Sequence, residues 1–95
     1  MKKKFTVNDK VYDVPELDFN AVCDLEGMGV SFTNLKKTPI LGLRAFLALC
    51  LDGDAEIAGI EIGEHMKKGG KLDVIAEAMG ASIQDSDFFQ ALNQN

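Results

Sequence analysis

The chain has 95 residues, 46% of them hydrophobic and 26% charged, with ten basic and fifteen acidic side chains and a formal net charge of −5. A chain of this length makes one domain, expected to span residues 1–95, and buries about 60–70% of its unfolded surface. The acidic balance argues against the basic face that phosphate neutralisation requires, so no nucleic-acid partner is expected.

Residues 4–14 read as a β-hairpin. Phe5-Thr6-Val7 and Val11-Tyr12-Asp13-Val14 are rich in β formers, and Asn8-Asp9 between them tolerates the positive φ of a two-residue turn. Pairing Val7 with Lys10 places Phe5 opposite Tyr12. A two-stranded hairpin is marginal alone, so it must pack on helices or pair with a neighbouring subunit.

Residues 18–93 read as a helical bundle. Asp18 is an N-cap, Phe19, Val22, Cys23 and Glu26 share one stripe of the first helix with Leu25 beside it, and Gly27 and Gly29 end it. Residues 30–37 lack a period and read as an exposed loop. Thr38-Pro39 then opens a run to Leu51 in which Arg44 is the only charge, Thr38 serving as hydroxyl N-cap and Pro39 as the first helical residue. A helix apolar all round is buried or spans a membrane, and spanning takes about 20 residues, so this is the central core helix and no membrane partner is expected.

Asp54 caps a third helix to about Lys68. Ala55, Ala58, Gly59, Ile62 and Met66 share one face, small enough in places for another backbone to come close. Ile57 and Ile60 fall opposite, among charges, and Glu64 and Lys68 form an i,i+4 pair. Gly69-Gly70 stops the helix. Leu72 to Ala81 reads as a fourth helix weakened at Gly80. A last short one opens near Asp85 or Ser86, with Phe88, Ala91 and Leu92 on one face and Phe89 turned away. The expected fold is mainly α with a small N-terminal hairpin (α+β), four to five short helices surrounding the apolar one.

Chemistry-bearing residues are sparse. Cys23 and Cys50 fall on apolar helix faces and read as buried, reduced thiols. The lone histidine, His65, follows Glu61 by four residues, but metal binding would need further ligands, and the expected role is a bond to carbonyls or to Glu61. Asp52-Gly53-Asp54 lacks the glycine and closing glutamate of a calcium loop, and Gly69-Gly70-Lys71 lacks the flanking residues of a phosphate loop. No catalytic residue, cofactor or metal site is therefore expected. Arg44 must snorkel, meet a carboxylate such as Asp24 or Glu26, or anchor a partner. Ile57, Ile60, Phe88, Phe89 and Leu92 join it as candidate self-association or partner-binding residues. No apolar segment follows Lys2-Lys3-Lys4 as a secretory leader requires, so the expected compartment is the cytoplasm.

Four segments carry a family resemblance: Leu17-Asp18-Phe19-Asn20-Ala21-Val22-Cys23-Asp24-Leu25-Glu26-Gly27-Met28-Gly29, then Leu43-Arg44-Ala45, then Ile62-Gly63-Glu64-His65-Met66-Lys67-Lys68-Gly69-Gly70, then Ser86-Asp87-Phe88-Phe89-Gln90-Ala91-Leu92. In these the chain resembles the small tail assembly chaperones of long-tailed bacteriophages and prophages. The resemblance implies a non-enzymatic protein that binds the long, helical tape-measure protein and keeps it soluble in the cytoplasm of the bacterial host. It further implies self-association and absence from the mature virion. The alternative from the residues is a small regulatory module, of antirepressor or inhibitor type, docking on a host or phage protein.

Overall fold

The computed structural model describes residues 3–31 and 38–92, without the side chains of Phe89 and Leu92. Its elements, in order, are β1 (Lys4–Val7), β2 (Lys10–Asp13), α1 (Phe19–Gly27), α2 (Pro39–Leu49), α3 (Ala55–Lys67), α4 (Asp73–Asp85) and α5 (Asp87–Leu92), an α+β arrangement. Most of the loop expected over 30–37, the lysine at position 2 and the polar tail at 93–95 lie outside the described residues.

The hairpin forms in the expected register. Val7 faces Lys10 and Phe5 faces Tyr12, and Asn8 and Asp9 take φ of 51° and 64°. Two successive positive φ values make the turn whose twist matches that of the strands. Alternation then sends Phe5 and Val7 to one face, where both are buried. That face packs on the helices: the Phe5 ring lies 5.9 Å from Phe46 of α2 and 5.8 Å from Tyr12. Among the described residues the sheet has two strands, and α2, α3 and α4 support it in place of further strands.

α2 is the core. Leu43, Ala45, Phe46, Leu47 and Ala48 are buried, Phe46 fully so, and α1, α3 and α4 all pack on this helix. Truncating Phe46 to Ala would cost about 3–5 kcal/mol by cavity formation. The helix is not covered all round, however. Ile40 is 65% exposed, and Arg44 also faces solvent. Pro39 opens α2 as expected, but Thr38 makes no side-chain cap bond; its carbonyl accepts the Gly42 N–H instead, at 3.0 Å.

The acidic caps form as read. Asp18 accepts from the Ala21 N–H at 2.9 Å and Asp54 from the Ile57 N–H at 3.0 Å. Asp52 and Gly53, with φ of 56° and 83°, reverse the chain between α2 and α3, and the Gly53 N–H closes on the Ala48 carbonyl at 2.8 Å.

Other expectations need correction. α4 runs past Gly80 to Asp85. A helix-interior glycine costs only about 1 kcal/mol, and beyond it two buried serines anchor the helix to the segment after the hairpin. Ser82 donates to the Pro15 carbonyl, and Ser86 to the Leu17 carbonyl at 2.6 Å. In α1, Val22 and Leu25 are buried while Phe19 and Cys23 are exposed. With only nine residues, α1 offers a narrow contact stripe. Glu64 pairs with Lys67 at 3.6 Å rather than with Lys68, because Lys68 reaches Asp9 in the hairpin turn at 3.3 Å.

Candidate interaction surface

α3 carries a polar cluster where it meets the hairpin, and exposed apolar residues besides. The cluster forms because β1 turns directly over the helix. Glu61, 9% exposed, accepts from the Asn8 side-chain amide at 3.0 Å and from Lys10 at 3.0 Å. His65 Nδ1 accepts the Asn8 backbone N–H at 3.0 Å, and the other ring nitrogen lies 3.0 Å from the Lys71 carbonyl. A nitrogen that accepts from a backbone amide carries no proton, so these bonds assign the neutral Nε2–H tautomer, with Nε2 donating to Lys71.

Charge and hydrogen bonds reinforce each other at Glu61 and Lys10. The Asn8 amide, then the Lys10 ammonium, hold the Glu61 carboxyl below the usual carboxylate range. The Glu61 hydrogen bond raises Lys10 in turn, and burial pushes the Tyr12 hydroxyl up. With both carboxylate oxygens and both imidazole nitrogens engaged, the four residues clasp the hairpin turn to α3. The expected carbonyl bond of His65 is made, through Lys71; a bond to Glu61 is not. Among the described residues no group of three or more His, Cys, Asp or Glu side chains is placed to hold a metal ion.

α3 also carries apolar surface. Ile57 and Ile60 are exposed, at 46% and 57%, flanked by Glu56, Glu64 and Lys67. Towards α2, Leu43, Ile62 and Leu72 line a groove of about 210 Å³ bordered by the exposed Ile40, and Gly59 and Gly63 present no side chain to it. Among the described residues Arg44 is the only charged one lining this groove. A Cβ added at Gly59 would lie 3.4 Å from Arg44 Cδ, so the aliphatic stem of Arg44 crosses the bare backbone there. Arg44 makes no ion pair with Asp24, Glu26 or any other carboxylate among the described residues. It snorkels, with its stem on apolar surface and its charge in water.

The remaining candidates are placed differently. Phe88 is half-buried, because its ring meets Phe19 edge-on, 5.5 Å between centroids and 89° between planes. This pair closes α5 onto α1. The side chains of Phe89 and Leu92 lie outside the described residues. Neither cysteine is fully buried, and both are free thiols: Cys23 is exposed, and Cys50 is half-buried at the end of α2. Burial pushes the Cys50 thiol up to about 11, and its Sγ donates to the Asp13 carbonyl at 3.5 Å. A second hollow, of about 410 Å³, lies beside Pro15 between the hairpin exit and α4. Its polar groups serve the fold: Ser82 bonds Pro15 and Lys3 pairs with Asp85 at 3.8 Å.

Sequence reasoning placed Ile57, Ile60 and Gly59 on their faces of α3 but missed Gly63 and Ile40. The spacing of Gly59 and Gly63, one helical turn apart, was the available signal. Among the described residues no helix is long and apolar enough to cross a membrane. Compared with known proteins, the chain matches no family model, no curated protein and no solved structure.

Proposed function

We propose that this protein is a non-enzymatic tail assembly chaperone that holds the tape-measure protein soluble in the cytoplasm of the bacterial host until the tail tube forms. One observation carries the reading: the apolar groove between α2 and α3 lies open beside an exposed isoleucine pair on a net-acidic protein. A holdase for a long helical client needs apolar grips that a helix can enter and a charged exterior that keeps the complex dispersed. Shallow grips of this size bind weakly one at a time. Several copies along one client gain avidity and can still be displaced one by one as tube subunits arrive. Self-association, through Ile57 and Ile60, follows from the same logic, and the protein leaves before the virion is complete.

The test is co-expression with a candidate tape-measure protein. The reading predicts that the tape-measure protein moves from the pellet to the soluble fraction and co-purifies with this chain. Tape-measure protein that stays insoluble, with this chain soluble alone, overturns the reading. Co-purification of a repressor or a host enzyme in its place would favour the regulatory module.

A further inference from the structure

We infer that the groove between α2 and α3 receives one face of an amphipathic helix from a partner protein, and that an acidic side chain on that helix meets Arg44. The inference rests on the chaperone reading and names the chemistry by which a client is gripped. The groove, at about 210 Å³, is smaller than the roughly 300–1,000 Å³ typical of small-molecule pockets, and suits side-chain knobs from a docked segment.

The type of segment follows from the walls. α2 and α3 are helices whose central backbone N–H and C=O groups are already bonded within each helix, so the groove offers no row of backbone partners. An extended strand laid there would leave its own backbone unpaired, whereas a helix satisfies its backbone internally and brings only side chains. Gly59 and Gly63 lower one wall and let that helix come close.

The charge follows from Arg44. Among the described residues it is the only charged one lining the groove, and it pairs with no described carboxylate. Its stem is supported across Gly59, which holds the guanidinium at the rim and reduces the freedom it must lose on binding. A guanidinium fork takes a carboxylate in a bidentate bond, and docking an apolar face against it excludes water and strengthens that bond. The complementary partner carries an apolar stripe at i, i+3, i+4 and i+7 bordered by Asp or Glu.

The experiment uses two stapled helical peptides with the same leucine stripe, bordered by glutamates in one and by lysines in the other, with binding read by fluorescence anisotropy at low salt. The wild-type protein should bind the glutamate peptide about tenfold more tightly than the lysine peptide, because attraction replaces repulsion at a partly desolvated site. Arg44→Glu should reverse that order. Gly63→Leu adds a side chain where nothing lies within 4 Å and removes a helix glycine. It should melt no lower than wild type yet lose the glutamate peptide by about tenfold or more.

Equal affinity of the wild type for both peptides overturns the assignment of Arg44, and unchanged binding by Gly63→Leu overturns the groove. A wild-type dimer that Gly63→Leu dissociates would show that a second copy occupies the groove, which also overturns the inference. Failure of the chaperone reading looks different. Should the peptides bind in the stated order while the tape-measure protein still precipitates, the groove stands and the client is another helical protein. Should Gly63→Leu keep the tape-measure protein soluble as well as wild type does, the chaperone reading stands and the groove falls.

Discussion

Asn8 and Glu61, 53 residues apart in the chain, meet with amide and carboxylate 3.0 Å apart, and that bond clasps the hairpin turn to α3. It has a pH signature. The folded-state pKa of Glu61 is lowered relative to the unfolded chain, by Asn8 first and Lys10 second. The clasp therefore contributes stability above the ordinary carboxylate range and loses it as pH falls through the folded value. Glu61→Gln keeps an acceptor for Asn8 but removes the titration. The melting temperatures of the two proteins should differ most at neutral pH and converge in acid; parallel curves would show that Glu61 does not titrate with folding.

The serine anchors of α4 give a second prediction. Ser82 and Ser86 are 4% and 3% exposed and donate to the Pro15 and Leu17 carbonyls. Replacing Ser86 by Ala strands the buried Leu17 carbonyl and should cost about 1–3 kcal/mol in urea unfolding, and Ser82→Ala less, because its bond to Pro15 is only part-buried. Losses within error for both would mean that the end of α4 is held by apolar packing alone.

The cysteines should separate chemically. Cys23 is exposed, whereas the Cys50 thiol is half-buried, raised to about 11 and bonded to Asp13. Thiolate is the reactive form, so a limiting alkylating reagent at mildly alkaline pH should modify Cys23 first. Peptide mass mapping reads the outcome, and preferential loss of the Cys50 thiol would contradict this placement.

Ile57 and Ile60 provide a test of self-association that leaves the core alone. Both are exposed on α3 and neither supplies a side chain to the hairpin clasp, so changing them together to Lys should leave far-ultraviolet circular dichroism and melting close to wild type. The same variant should sediment as a smaller species than wild type at equal concentration. Unaltered sedimentation and undiminished client pull-down together would remove these residues from the binding surface.

Local features of the fold were legible in the sequence, and features set by distant neighbours were not. The Asn8-Asp9 turn and the Asp18 and Asp54 caps each depend on a few adjacent residues and form as the sequence implies, whereas the equally local Thr38 cap does not. The clasp of Glu61 and the extension of α4 past Gly80 depend on partners more than fifty positions away, which helical spacing does not report. Phe19 and Phe88 were assigned separately, one to the core and one to an interface; in the fold they face each other across α1 and α5. For the groove, helical spacing marks Arg44 and Gly59 separately, but their contact arises only from the way α2 and α3 cross.

The central claim, that an amphipathic helix from another protein enters between α2 and α3, is tested most directly by an amide-resonance titration of the whole protein with a helical tape-measure segment. The account predicts that the largest shifts fall on Ile40, Arg44, Gly59 and Gly63, while Asn8 and His65 at the hairpin clasp stay in place. Shifts that cluster on the clasp or on α5 and leave Gly59 and Gly63 unmoved would contradict it.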